Sequence, residues 1–135
     1  MTGKACLVLV LWLLMAGCAT VPEPDRSHTV RYVLIRDDVS PTDLYAQVGD
    51  EIRWQNLRTE PVMIGLLGAG MLDSVLCQRG FMRFGRMDGL TIVQSQDYVS
   101  LCFARRGVVR YNIWLDPEDL RTMSRTAAIH LAETS

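Results

Sequence analysis

Four cysteines, two histidines and seven methionines are the side chains of this 135-residue chain best suited to covalent or metal chemistry. Cys77 and Cys102 lie in the body of the sequence, whereas Cys6 and Cys18 fall in its apolar first eighteen residues. Two thiols can bridge, bind copper or zinc, or cycle between redox states. Metal and redox sites tend to place their cysteines in Cys-x-x-Cys motifs or beside histidine, and neither Cys77 nor Cys102 has such a neighbour. A structural disulfide is the favoured reading, and on a chain-entropy model it contributes about 3–4 kcal/mol. His28 is expected at the solvated edge of the domain. His130 alternates with Ile129 and Leu131 and is expected to point outward. With no third nitrogen ligand, a histidine metal site would need another protein or a second copy of this one. Met63, Met71, Met82, Met87 and Met123 carry thioethers that can bind Cu(I), although methionine more often fills core gaps or adaptable contact surfaces.

Catalysis finds little support. A serine or cysteine nucleophile needs a base within hydrogen-bond reach, and neither histidine lies in a stretch that marks it as one. Asp37-Asp38 and Glu118-Asp119 are carboxylate pairs in predicted turns, where solvated capping accounts for them. Gly68-Ala69-Gly70 and Gly85 lack the strand-to-helix context of a phosphate-binding loop. No catalytic residue, metal site or cofactor is therefore expected.

The opening segment sets the environment of the thiols. Lys4 precedes an apolar run from Ala5 to Met15 and the small residues Ala16 and Gly17, the pattern of an export signal too short to span a bilayer stably. Met15-Ala16-Gly17-Cys18 resembles the lipobox of bacterial lipoproteins, with Met15 where leucine is usual. The resemblance implies cleavage before Cys18 and acylation of its thiol, as by palmitate. Ala19, rather than aspartate, after the cysteine implies the outer membrane, facing the periplasm. The chain then divides into a signal peptide 1–17, a lipid-anchored tether 18–28 containing Pro22 and Pro24, and one domain over 29–135. In an oxidising compartment the two remaining cysteines are expected to pair. Without Lys4, thirteen arginines face fifteen carboxylates, a near-neutral balance that argues against nucleic acid as a partner.

The elements that must position these residues read as strands. Period-two alternation places Val30, Tyr32 and Leu34 on one face of a first strand, Leu44, Ala46 and Val48 on a second, and Ile52 and Trp54 on a third. Gly49-Asp50 supplies the turn between the last two. A fourth strand covers Val62 to Leu67. No periodicity is sustained from Gly68 to Gly89. Strands resume at Leu90 to Val93, Tyr98 to Phe103, Val109 to Leu115 and Ala127 to Ala132, and Asp116 is placed to cap a short helix beginning at Pro117. Seven to eight short strands in about a hundred residues indicate an all-β, antiparallel or Greek-key sandwich.

Two segments carry a further resemblance. Val48-Gly49-Asp50-Glu51-Ile52-Arg53-Trp54-Gln55-Asn56 followed by Pro61-Val62-Met63-Ile64 resembles the cupredoxin segment in which a Gly-Asp turn leads to an aromatic strand, an asparagine and Pro-His. Phe103 to Tyr111 is similar to the run that ends in Pro-Gly-Thr-Tyr-x-Tyr before the copper loop. The likeness implies a cupredoxin-like Greek-key β-sandwich. A type 1 copper site needs two imidazoles, a thiolate and usually an axial methionine. The corresponding positions here hold Val62, Ile113 and Asp116, with Met123 the axial counterpart, so the resemblance implies a sandwich without that site.

The most distinctive remaining stretch is Cys77 to Met87, which interleaves Arg79, Arg83 and Arg86 with Phe81 and Phe84, a mixture enriched at protein interfaces. A Cys77–Cys102 bridge is expected to pin it beside Arg105 and Arg106 and gather positive charge in one place. The alternative is that the phenylalanines plug one end of the sandwich. Together these features suggest a non-catalytic, lipid-anchored periplasmic binding or scaffolding module with an envelope protein partner. The alternative function is periplasmic copper handling through methionine, Cys102 and His130.

Overall fold

In the computed structural model, which describes residues 29–134, ten strands build two five-stranded sheets and two more form a small ribbon. The signal segment 1–17, the acylation position Cys18, the tether 18–28 and His28 lie outside the described residues. The first sheet orders β2 (Val39–Ser40), β1 (Val30–Ile35), β4 (Glu51–Asn56), β10 (Tyr98–Phe103) and β6 (Val75–Arg79). The second orders β3 (Asp43–Gln47), β12 (Ala127–Ala132), β11 (Gly107–Trp114), β5 (Val62–Leu67) and β9 (Leu90–Val93). The ribbon pairs β7 (Met82–Arg83) with β8 (Arg86–Met87). Between β2 and β11 nearly every connection passes from one sheet to the other, the crossing pattern of a Greek-key sandwich.

All eight strands expected from alternation are present, joined by β2, β6, β7 and β8. Both sheets are mixed rather than purely antiparallel, because β1 runs parallel to β4 and β3 parallel to β12. The inward face of β1 also differs from the expected one. Val33 and Ile35 are buried, while Tyr32 is exposed. Both parities of this strand are apolar, so alternation alone leaves a tie. Pairing breaks it: Val33 lies opposite Trp54 and Arg31 opposite Ile52, and directly paired residues share a face. After β11 the expected helix is absent. Asp116 instead accepts a hydrogen bond from the Glu118 amide (2.9 Å), and a single 3₁₀ turn follows at Leu120–Thr122, capped by Asp119.

The Gly-Asp turn has a clear physical basis. Asp50 N donates to Gln47 O (3.0 Å), and Gly49 sits at φ +89°, the position a type II turn reserves for glycine. The Asp50 carboxylate is nearly buried, accepting from Gln47 N (2.9 Å) and from Arg31 Nε (3.2 Å). The turn therefore holds the start of β4 against β1.

Trp54 forms the centre of the core. Its ring meets those of Phe81 and Tyr111 edge to face, at 5.6 and 5.5 Å between centroids. Burial pushes the Tyr111 phenol well above its ordinary range. Asn56, fully buried at the end of β4, clamps the neighbouring loops. Its Nδ2 donates to the carbonyls of Glu60 (2.8 Å), Val93 (3.1 Å) and Gln94 (3.2 Å), and its Oδ1 accepts from Arg58 N (2.9 Å).

Candidate functional site

Cys77 and Cys102 are direct cross-strand partners on β6 and β10, with Cα atoms 4.9 Å apart, and they form a disulfide. The bridge fastens β6, the edge strand, to the first sheet. Beyond Arg79 the chain turns at Gly80 (φ +89°), where a Cβ would run into Val99 Cγ1, so glycine is required for both conformation and space. That turn drives Phe81 inward, where it is 1% exposed. Phe81 was expected on a binding surface, and the structure makes it core because an aromatic pocket beside Trp54 is open at that end of the sandwich.

The ribbon springs from this anchor. Asp88 N donates to Phe81 O (2.8 Å), and Met82 pairs with Met87 and Arg83 with Arg86. Its two-residue tip is Phe84-Gly85, with φ of +50° and +74°, the signs a type I′ hairpin turn demands. Asparagine and glycine adopt that conformation cheaply, whereas for other L-residues the left-handed region costs about 1–2 kcal/mol. Phe84 is nonetheless there, and its side chain is 94% exposed. The Arg83 guanidinium lies 5.5 Å from its ring centroid and 4.0 Å from the Asp88 carboxylate. Arg86 is exposed on the other strand, and no ion pair forms to it among the described residues. The tip thus presents an aromatic knob between two cations on a short, closed turn.

The remaining arginines do not join it. Arg79 lies on the outer face of the first sheet, 2.9 Å from Asp97 and with its guanidinium 3.9 Å from the Tyr98 ring centroid. Arg53 lies 4.6 Å from the same centroid and 6.0 Å from that of Tyr32, and it grips Glu51 at 2.7 and 3.1 Å. The hydrogen bonds from Arg53 hold the Glu51 carboxyl below its usual range. This tyrosine–arginine lattice satisfies its own charges. Arg105 belongs to the opposite end of β10, donating to Asp73 (2.7 Å) and to Gly70 O. Arg106 lines a separate concavity beside Tyr45 and His130. The expected single basic patch is therefore not formed. Antiparallel pairing sets Arg79 opposite Ser100, so five residues of β10 and its continuation, roughly 17 Å, separate that end from Arg105.

At the end of the sandwich where the copper ligands of the resemblance would sit, Val62 and Ile113 are both 0% exposed. Asp116 is committed to its turn, and the Met123 thioether accepts from Asn112 Nδ2 (3.2 Å). Two buried aliphatic side chains in place of an imidazole and a thiolate do not fit a type 1 copper site. Among the described residues no group of three or more His, Cys, Asp or Glu side chains is placed to hold a metal ion. The donors of the copper-handling alternative are also not brought together. Cys102 is bonded to Cys77, Met63 lies on β5 opposite Trp114, and His130 on β12 stacks on Tyr45 (4.6 Å) and contacts Asp43 (2.8 Å). This Tyr45–His130–Asp43 cluster leaves no local signal in the sequence, because its members meet only through the parallel register of β3 with β12.

No protein-family model matches the chain, and no curated protein matches its sequence. Solved structures do match. A reduced tryptophan-to-tyrosine variant of amicyanin aligns over 80% of this chain and 87% of its own, with a TM-score of 0.53 at 15% identity. A Cu(I) form of a methionine-to-alanine variant of amicyanin aligns over 76% and 82%, with 0.52 at 17%. An oxidised methionine-to-leucine variant aligns over 78% and 82%, with 0.51 at 18%. At such identities the likeness fixes the fold alone, and the fold is the cupredoxin-like sandwich that the two sequence segments implied.

Proposed function

We propose that this protein is a non-catalytic, lipid-anchored binding module of the bacterial envelope. Acylated Cys18 holds it at the outer membrane, facing the periplasm, and the sandwich displays the Arg83–Arg86 tip to a protein partner. The observation that carries this reading is Phe84, an aromatic side chain in a costly backbone conformation and in full contact with water. Its ring adds nothing to the buried core, and strain of this kind is retained where a contact uses it. Aromatic residues and arginine dominate binding energies at interface centres, and a closed two-residue turn loses little entropy when it docks. Phe81 in the core and the Cys77–Cys102 bridge give the ribbon a rigid base.

Two measurements test the reading. Metabolic labelling with a palmitate analogue should mark the protein, and Cys18→Ser should abolish the label and release the domain into the soluble periplasmic fraction. A photo-crosslinking aromatic residue at position 84 should form protein adducts in intact cells that Arg83→Glu with Arg86→Glu largely removes. An unlabelled protein, or a tip that forms no adducts, contradicts it.

A further inference from the structure

The end of the sandwich that lacks copper ligands is not featureless. The loop before β5, the strand β9 and the segment after β11 enclose a concavity of about 580 Å³. Pro61, Ile92, Leu115 and Pro117 supply an apolar lining, and Ile92 is 51% exposed. Glu60, Asp116 and Glu118 stand at its rim. Among the described residues its lining holds one cation, Arg58, already engaged by Asp37 (3.2 Å) and Glu60 (3.9 Å). No ion pair forms to Glu118 among the described residues. This is an apolar groove bordered by exposed carboxylates.

The ribbon tip is its complement in each respect: an exposed phenylalanine flanked by Arg83 and Arg86, the latter without an ion pair among the described residues of its own copy. The groove and the tip share no residue. We infer that the partner of the tip is a second copy of this chain, with Phe84 of one molecule seated in the Ile92–Leu115 groove of the next and Arg83 and Arg86 meeting Glu60 and Glu118. The inference rests on the reading of the ribbon as a contact element. Two different surfaces meet, so the contact is head to tail and leaves a free tip on one molecule and a free groove on the other, able to extend into a row. A single aromatic knob buries roughly 150–250 Å², well below a stable interface of about 1,000 Å² or more. The association is therefore weak in dilute solution and strengthens where anchoring concentrates the copies in one membrane plane. It also weakens with salt, since its charges lie on the rim.

The test uses the full-length chain in cells, with p-benzoylphenylalanine at position 84 and one epitope tag, co-expressed with a second copy bearing another tag. The expected adduct carries both tags and maps to residues 58–61, 92–94 or 115–118 of the second copy. Its yield falls roughly fivefold when the second copy carries Glu118→Arg, and recovers when the crosslinking copy also carries Arg86→Glu. Adducts to other envelope proteins alone overturn self-docking while leaving the binding-module reading intact. A doubly tagged adduct mapping elsewhere overturns the groove as the seat. Absence of any adduct overturns both.

Discussion

Phe81 and Phe84 are three residues apart in one chain and differ almost completely in exposure, 1% against 94%. Gly80 turns the first into the core, where it meets Trp54, and the left-handed tip holds the second in water. The contrast teaches that composition alone does not define a binding surface. Two phenylalanines among three arginines look alike in sequence, and backbone conformation buries one and leaves the other exposed.

The largest expected effect follows from that division. Phe81→Ala should cost about 3–5 kcal/mol in denaturant unfolding, as large aromatic deletions in packed cores do. Phe84→Ala should change stability by no more than about 0.5 kcal/mol, and Phe84→Asn should raise it slightly by suiting the left-handed turn. Comparable losses for the two phenylalanines would contradict the burial of one and the exposure of the other. Next in size is the bridge. Its ends are 25 residues apart, so Cys77→Ala with Cys102→Ala should remove about 3.5 kcal/mol on the chain-entropy model. That double variant should also loosen the ribbon, visible as faster amide exchange from β6 to β8.

Asn56→Ala tests the end of β4 away from the bridge. It leaves buried carbonyls without donors and should cost about 1–3 kcal/mol, read by the same unfolding experiment. The smallest effect belongs to the outer face of the first sheet. Arg53 lowers the Glu51 carboxyl in the folded state, so its stabilisation is present above the ordinary glutamate range and is lost as pH falls through the lowered value. Glu51→Gln should flatten that part of the acid limb of a stability–pH curve without moving the neutral plateau by more than a surface pair contributes, about 0–1 kcal/mol.

Much of the sandwich was legible because large apolar residues recur at every second position even where the opposite face is also buried, as at Ser100, Cys102 and Asn112. Ile52 and Trp54, Val99 to Phe103 and Val109 to Ile113 each declare one buried face. The first strand misled because Val30, Tyr32 and Leu34 rival Val33 and Ile35, and only the register against β4 decides between them. The ribbon strands are two residues long, too short to show a period. The disulfide could be anticipated by elimination, but not the direction in which β6 crosses β10. That direction carries Arg79 away from Arg105, so the composition of the candidate site was visible while its division into a lattice, a knob and a distant pair was not. Long-range register is a property of the assembled sheet and leaves little trace in local spacing.

Phe84 is bare on the isolated molecule, and the proposed contact role requires that it be covered at the membrane. Hydroxyl-radical footprinting of the full-length chain measures this directly, comparing oxidation at Phe84 in dilute detergent solution with that in intact membranes. Strong oxidation in solution and marked protection in membranes, with Phe81 protected in both, is the predicted result. Equal oxidation of Phe84 in the two settings would contradict the contact role of the tip.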